Sequence, residues 1–204
     1  MEIDHLAVTG ADLGEGAAWA EAALGVPLEP GGRHDRFATA NRLLSLGPGL
    51  YLEVIAPEAG PEPRPGPPVP RWFALDAAGL PALRNWIVRV PDLDRALAGA
   101  PPEAGEALAL SRDNLRWRVA VPPDGSLPWG GAYPTLIEWG PGGHPAETLP
   151  DRGVRLLALE VGHPRAPRLR ELLRPLADPR LRVVTADAPS LRATLATPRG
   201  EARL

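Results

Sequence analysis

Three side chains capable of chemistry fall within residues 31–57, which read GGRHDRFATANRLLSLGPGLYLEVIAP. They are His34, Asn41 and Glu53, which supply an imidazole, an amide and a carboxylate. Glycines and prolines divide this stretch into runs of strand length. The stretch therefore predicts three successive strands, each carrying one of these polar groups.

Glu53 is the most informative of the three because its own strand is otherwise apolar. Alternation places Glu53 on one face with Tyr51 and Ile55, and the opposite face is made of core residues, Leu50, Leu52 and Val54. A carboxylate among apolar neighbours is costly to desolvate without a partner. We expect Glu53 to have a cation, a metal ion or a hydrogen-bond donor beside it.

A fourth candidate, His5, lies in a strand near the beginning of the sequence. Residues 3–9 alternate, so that Ile3, His5 and Ala7 share one face while Leu6 and Val8 share the other. The second face is suited to packing on a helix. We therefore expect His5 to point away from the helix-covered side of the sheet.

The helix that covers this sheet is predicted directly after the first strand. Asp12 with Glu15 marks its start, and Gly25 marks its end. Together with the stretch 31–57, this gives the order strand, helix and three strands.

The same order then begins again. Asp92 opens a second helix 80 residues after Asp12, and the predicted strands around it are 85–90, 106–110, 115–121 and 134–139. Aligning the two units makes Asn85 the counterpart of His5, and it makes Glu138, in TLIEW, the counterpart of Glu53, in LYLEV. A repeat with matched element order indicates duplication of one supersecondary unit.

The fold class that follows is α+β, with tandem βαβββ modules and a C-terminal partial third βαββ repeat. We divide the chain into residues 1–57, a proline-rich connection at 58–82, residues 83–145 and residues 146–204. The connection is predicted to be extended and to be anchored at its far end by Trp72 and Phe73.

Composition narrows the classes of function. The chain has 204 residues, 44% of them hydrophobic, a net charge of -3 and no cysteine. These values disfavour nucleic acid as a partner, and they exclude disulfides and thiolate chemistry. The sequence has no membrane-spanning run or leader-like segment, so we expect a cytoplasmic protein without membrane contact.

In the pattern of its modules, the chain resembles the vicinal oxygen chelate superfamily. The sequence motif GGRH…YLEVIAP resembles the glyoxalase-like branch of that superfamily. The resemblance covers residues 1 to about 145. It implies a cupped sheet that binds a small oxygenated metabolite, and a divalent metal held by His5, Glu53 and Glu138. Zn, Ni, Mn or Fe would suit these ligands. A ligand Glu, either Glu53 or Glu138, would also serve as the catalytic base.

One position departs from the family pattern. Asn85 occupies the place where glyoxalase I has a histidine ligand, and an amide is a poor ligand for these metals. Three alternatives follow: a site with three protein ligands, a site completed by His34, or a cup without a metal.

Other residues are assigned to the substrate pocket. His34, Asn41 and Asn85 are placed at or near the cup, and Trp129 is a candidate lid. Arg116 and Arg118 would face the cup if Leu115, Trp117, Val119 and Val121 face the core. The alternative for these arginines is that one of them pairs with Glu138 or Glu53. For His144 and His163 we expect solvated or capping roles.

Two functional hypotheses result. The first is a metal-dependent lyase, isomerase or dioxygenase that acts on a small oxygenated metabolite. The second is a metal-free module that binds or sequesters a small molecule in the same cup. Either a monomer or a homodimer is compatible with the sequence.

Overall fold

Both predicted βαβββ modules are present in the computed structural model, which describes residues 1–58 and 70–204. The first consists of β1 (Glu2–Thr9), α1 (Leu13–Leu24), β2 (Glu29–His34), β3 (Thr39–Ser45) and β4 (Tyr51–Pro57). The second consists of β5 (Ala82–Arg89), α2 (Leu93–Ala98), β6 (Glu106–Arg112), β7 (Leu115–Val121) and β8 (Thr135–Trp139). The α+β fold class and the tandem modules are confirmed.

The modules join into one eight-stranded sheet in the order β2-β3-β4-β1-β5-β8-β7-β6. Strands β1 and β5 pair antiparallel at its centre, with His5 opposite Ile87 and Ala7 opposite Asn85. Counting 80 positions onward from His5 and Ala7 gives Asn85 and Ile87, so each residue pairs with the counterpart of the other. This symmetry is expected where two copies of one unit pair with each other. The sheet curls far enough for its edge strands β2 and β6 to meet.

The register also shows which residue corresponds to Glu53. Glu53 pairs with Ala7 of β1. The counterpart of Ala7 in the second module is Ile87, and Ile87 pairs with Thr135. Thr135 is therefore the counterpart of Glu53. Glu138 lies three positions further along β8. Because side chains alternate along a strand, an odd displacement places Glu138 on the opposite face of the sheet.

A bulge in β1 changes which residues share a face with His5. Ile3 pairs with Val88 and His5 with Ile87, so Asp4 is an additional residue between the two pairs. Ile3 consequently packs in the helix-side core, whereas the sequence pattern predicted it beside His5. Asp4 becomes fully buried.

The sheet is covered by apolar side chains on both faces. On one face, α1, α2 and the C-terminal elements share a core that includes Leu6, Val54 and the fully buried Trp86. The concave face has its own apolar cluster, which includes Ile55, Ile87 and Trp117. The hydrophobic effect therefore holds the sheet from both sides.

The proline-rich connection is described only in part, because residues 59–69 lie outside the described residues. After them, a 3-10 segment at Trp72–Ala77 crosses the concave face. Trp72 and Phe73 are buried in the concave cluster, which agrees with the predicted anchor. Two other 3-10 segments lie at Pro102–Ala104 and Pro128–Gly131.

The C-terminal residues form a second sheet on the helix side. After α3 (Pro145–Thr148), the elements are β9 (Arg155–Gly162), α4 (Ala166–Leu173), β10 (Leu181–Val184), β11 (Ser190–Thr197) and β12 (Gly200–Arg203). The predicted order βαββ is present and is followed by one more strand. The strands pair in the order β10-β9-β11-β12, which differs from the pairing inside the two modules.

The ends of α1 form as the sequence predicts. The Asp12 carboxylate accepts a hydrogen bond from the Glu15 backbone amide at 2.9 Å, which satisfies one of the free donors at the helix start. Gly25 ends the helix with a φ of 72°, a conformation that glycine adopts without strain.

Replacement of Asp12 by Ala should lower the free energy of unfolding by about 1 kcal/mol, because the Glu15 amide loses its acceptor. Urea denaturation followed by tryptophan fluorescence measures this change. Asp12→Asn keeps an oxygen acceptor and should lose much less stability. Equal losses in both variants would show that the cap is not the cause.

Candidate functional site

The concave face encloses an inner cavity of about 30 Å³, which has room for roughly two water molecules. Its apolar wall includes Trp72, Phe73, Ile87, Trp117, Ile137 and Trp139. Its polar wall comprises His5, His34, Asn41, Tyr51, Glu53 and Arg112. The cavity adjoins an outer chamber of about 550 Å³, with which it shares His34, Arg112 and Trp117.

His5 is held in position by its neighbour Asp4. The His5 Nδ1 lies 2.6 Å from the Asp4 carboxylate. Because a carboxylate only accepts, Nδ1 carries the hydrogen, and a neutral His5 then presents the lone pair of Nε2. The ring also stacks on Tyr51, with 4.4 Å between ring centroids. These contacts fix both the orientation and the tautomer of the imidazole.

Asp4 accepts two more hydrogen bonds, from Trp139 Nε1 and from His144 Nε2, both at 3.0 Å. Burial by itself would raise the pKa of Asp4, but the hydrogen bonds from His144 and His5 together lower it below its usual value. His144 Nδ1 accepts from the Ala146 amide and so caps α3, as expected for a capping histidine. Asp4 therefore stays ionised and orients two imidazoles.

Glu53 has a donor, as its buried position requires. One carboxylate oxygen accepts a hydrogen bond from Asn41 Nδ2 at 2.5 Å, and the other lies 3.6 Å from His5 Nε2. The second distance is longer than a direct hydrogen bond. Both side chains line the cavity, so His5 and Glu53 can each bind an atom of a ligand placed there.

Tyr51 supplies a third polar group at the cavity wall. Burial, together with the nearby charges of Asp4 and Glu53, raises the pKa of the Tyr51 hydroxyl well above its usual value. The phenol therefore stays protonated at neutral pH.

Asn41 is oriented by its other contacts. Its Oδ1 accepts from the Gly32 backbone amide at 2.7 Å and lies 3.5 Å from Arg112 NH1. The amide nitrogen must therefore face Glu53. A side chain at Gly31 would collide with Asn41, so this glycine makes room for the amide.

His34 joins the two edges of the curled sheet. Its Nδ1 lies 3.2 Å from Thr39 Oγ1, and its Nε2 lies 3.3 Å from Arg112 NH1 on β6. Burial, reinforced by the charge of Arg112 and opposed by that of Glu53, lowers the pKa of His34 to about 4. His34 is therefore neutral at pH 7 and accepts a hydrogen bond from Arg112.

Glu138 does not join His5 and Glu53. Its carboxylate accepts from the Leu93 amide at the start of α2, at 2.7 Å, and from Arg118 NH1 at 3.3 Å. The predicted grouping of Glu138 with His5 and Glu53 is absent because Glu138 faces the helix side of the sheet. In this position it stabilises the helix start.

The cavity wall offers few donors for a divalent metal. Within residues 1–58 and 70–204, no group of three or more His, Asp or Glu side chains is placed to hold such an ion. His5 and Glu53 are two donors, and His34 is bonded to Thr39 and Arg112. Structural and catalytic zinc sites use at least three protein ligands, so these residues do not fit a metal of that kind.

Arg116 and Arg118 also differ from their predicted positions. The apolar residues of β7 line the cup, so both arginines lie on the opposite side of that strand. Arg118 binds Asp94 at 2.6 Å as well as Glu138, which is the pairing alternative considered from the sequence. Arg116 is exposed to solvent.

Trp129 and Asn85 do not line the inner cavity. Trp129 stacks on His163 and lies beneath the Arg165 guanidinium, on the helix side of the sheet, so it is not a lid over the cup. His163 is buried, and its Nδ1 accepts from the Arg165 amide in the turn before α4; the start of α4 itself has no side-chain cap. Asn85 is fully buried and bonds Thr135 Oγ1 and the Trp86 amide.

Two residues of the site were not identified from the sequence. Arg112 follows Leu108 and Leu110 at alternate positions of β6, and this spacing would have placed it on the concave face. Asp4 gives no comparable signal, because its inward position depends on the bulge in β1.

Comparison with family models finds a match to the Glyoxalase-like domain over residues 3–177. The chain belongs to this family. Its membership, together with the two modules, confirms the resemblance to the glyoxalase-like branch of the vicinal oxygen chelate superfamily. Comparison with curated proteins finds no match. No helix among residues 1–58 and 70–204 has the length and apolar character needed to cross a membrane.

One solved structure supports the same fold, and two others align more loosely. A hypothetical protein from Staphylococcus aureus aligns with a TM-score of 0.63 and 12% identity, covering 93% of this chain and 88% of that one. Methylmalonyl-CoA epimerase from Mycobacterium tuberculosis aligns at 0.44 and 22% identity, covering 69% and 88%. A Streptomyces coelicolor methylmalonyl-CoA epimerase with bound 2-nitronate-propionyl-CoA aligns at 0.42 and 16%, covering 67% and 95%. The two epimerase alignments are too loose to carry an argument about fold or function.

Acid should destabilise the protein partly through His34. Between its usual pKa of 6.5 and its folded pKa of about 4, the unfolded state binds a proton that folded His34 does not. Lowering the pH through this window should therefore remove up to about 3 kcal/mol of stability, a loss that His34→Asn should escape. Urea denaturation at several pH values measures the difference between wild type and variant.

The difference in stability between wild type and His34→Asn at each pH separates the contribution of His34 from those of other titrating groups. Burial and Arg165 also lower the pKa of His163, so the wild-type profile alone does not identify the histidine responsible. If wild type and His34→Asn lose stability in parallel between pH 6.5 and 4, His34 is not buried in its neutral form.

Glu138→Gln should leave the content of Zn, Ni, Mn and Fe unchanged in protein purified without a chelating tag, because Glu138 faces α2 rather than the cup. Mass spectrometry of the purified protein measures the metals. His5→Ala and Glu53→Ala are the comparison variants. Stoichiometric metal in the wild type that is lost in Glu138→Gln would contradict the position of Glu138.

Proposed function

We propose that this Glyoxalase-like protein binds a small oxygenated molecule in the inner cavity and transfers a proton on it, with His5 and Glu53 as the acid–base pair. One observation carries the proposal: His5 Nε2 and Glu53 Oε2 lie 3.6 Å apart at the wall of an otherwise apolar cavity. A ligand carbon placed beside this pair, in the cavity that both atoms line, would be within reach of both groups.

The environment of His5 suits proton transfer. Asp4 holds Nδ1–H, so Nε2 is the atom that accepts or returns a proton. The ionised Asp4 would also stabilise the imidazolium that forms when Nε2 is protonated. Asp4 is therefore a positioning residue that acts through His5.

The environment of Glu53 supports the complementary role. Asn41 bonds one carboxylate oxygen, which leaves the oxygen near His5 to face the ligand. Glu53 would take the proton from a carbon beside a carbonyl and pass it to His5 Nε2, and the imidazolium would return it to a neighbouring atom of the ligand. Both side chains then end in their starting states and no oxidant is needed, as in an isomerase.

The apolar wall contributes in two ways. Trp72, Phe73 and Trp117 restrict the access of water, which strengthens electrostatic interactions between the ligand and the polar wall. The small volume of the cavity limits its contents to a compact group. The proposed ligand therefore places a small oxygenated end in the cavity.

Glu53→Gln should slow proton exchange strongly while leaving binding nearly intact, because the amide keeps the shape of the carboxylate and loses its basicity. General acid–base catalysis is worth about 10²- to 10⁴-fold, so a rate loss of that size is expected. Proton NMR in D₂O measures exchange of carbon-bound hydrogens in pyruvate, lactate and their amides. Glu171→Gln makes the same chemical change at an exposed site and should have no effect.

The possible results separate the two functional hypotheses. Exchange that depends on both His5 and Glu53 supports an enzyme. Binding of these compounds without exchange, in wild type and variant alike, supports a binding or sequestering module instead. Exchange in Glu53→Gln at close to the wild-type rate would contradict the assignment of Glu53 as the base.

A further inference from the structure

Arg112 lies where the inner cavity meets the outer chamber and lines both. Among residues 1–58 and 70–204, no carboxylate oxygen lies within 4.0 Å of its guanidinium. Asp35 and Asp113 line the chamber but do not reach it. Arg33, on the neighbouring rim, differs because it pairs with Glu58 at 2.8 Å.

The acceptors that Arg112 does have are neutral. They are the imidazole of His34, at 3.3 Å, and the side-chain oxygen of Asn41, at 3.5 Å. Both use the same guanidinium nitrogen, NH1. Within the part of the chain that the structure describes, the other donors of the guanidinium are available to a ligand. A half-buried positive charge with no carboxylate oxygen of these residues within 4.0 Å favours an anionic ligand.

The neighbouring backbone makes room for this arginine. A Cβ atom at Gly32 would lie 2.6 Å from Arg112 Cδ and 2.7 Å from its Nε. Any residue larger than glycine would displace the guanidinium. The Gly31–Gly32 pair thus admits Asn41 and Arg112 side by side.

We propose that Arg112 binds the carboxylate of the ligand, so that the substrate class is short carboxylic acids that carry a carbonyl or hydroxyl beside the carboxylate. This proposal deepens the proposed function and rests on it. A guanidinium fork matches a carboxylate with two parallel hydrogen bonds, which gives orientation as well as affinity.

The distance from Arg112 to the acid–base pair suits such a ligand. Asn41 bridges the two, because it contacts Arg112 through Oδ1 and Glu53 through Nδ2. A carboxylate on Arg112 is therefore one side chain away from Glu53. The next carbon of a short acid would enter the inner cavity, and any larger substituent would occupy the outer chamber.

The test compares acids with their neutral amides. Dissociation constants of pyruvate and pyruvamide, and of lactate and lactamide, are measured by ligand-observed NMR at neutral pH. In the wild type, at least one acid should bind about tenfold or more tightly than its amide. Arg112→Gln should weaken acid binding by about 10- to 100-fold and leave amide binding unchanged.

A second variant tests the position of the guanidinium without removing it. Gly32→Ala should displace the flexible Arg112 side chain and reduce the preference for acids, at little cost to stability. Gly79→Ala is the matched control, because a Cβ atom there would meet nothing within 4 Å. It should retain the wild-type preference.

Each outcome decides between the alternatives. Amides that bind as tightly as acids, or a preference that survives Arg112→Gln, would overturn the role of Arg112. If the amides bind or exchange protons in a Glu53-dependent way, the proposed function still holds. If no compound binds more tightly than roughly 10 mM and none exchanges, both proposals fail.

Discussion

The burial of the Glu53 carboxylate is the constraint on which the site depends. A carboxylate among apolar side chains must have hydrogen-bond donors, and here the donor is Asn41 on the adjacent strand. Asn41 is oriented in turn by the Gly32 amide and by Arg112, which reaches across from the far edge of the sheet. Glu53, Asn41, Arg112 and His34 therefore form one chain of contacts, which links both edges of the curled sheet to β4.

The duplicated modules contribute unequally to the cup. His5, His34, Asn41 and Glu53 come from the first module, whereas the second contributes Arg112 and an apolar wall that includes Trp117 and Ile137. At the position equivalent to Glu53, the second module has Thr135, which bonds Asn85 inside the protein. The two modules thus form two halves of one hollow, and most polar residues of its described wall come from the first half.

The face of the sheet on which each side chain lies decided which of the predicted site residues line the cavity. Glu53 and Asn41 lie at the cavity because β3 and β4 pair without a register shift, and His34 lies there beyond a register shift in β2. Arg116 and Arg118 are on the other side because β7 directs its large apolar residues into the cup. In this family member the concave face is itself hydrophobic, so apolar residues on a strand do not identify the helix-covered side.

The sequence alone determined the two modules, the caps of α1, the offset of 80 residues and the need of Glu53 for a partner, because these features depend on local periodicity and on the cost of burying charge. Three features were decided only by the tertiary structure. The bulge at Asp4 directs that carboxylate to His5, the curl of the sheet brings Arg112 to His34, and the register of β8 places Glu138 against α2. Each depends on how distant strands pair, and alternation within a single strand carries no information about the strand beside it.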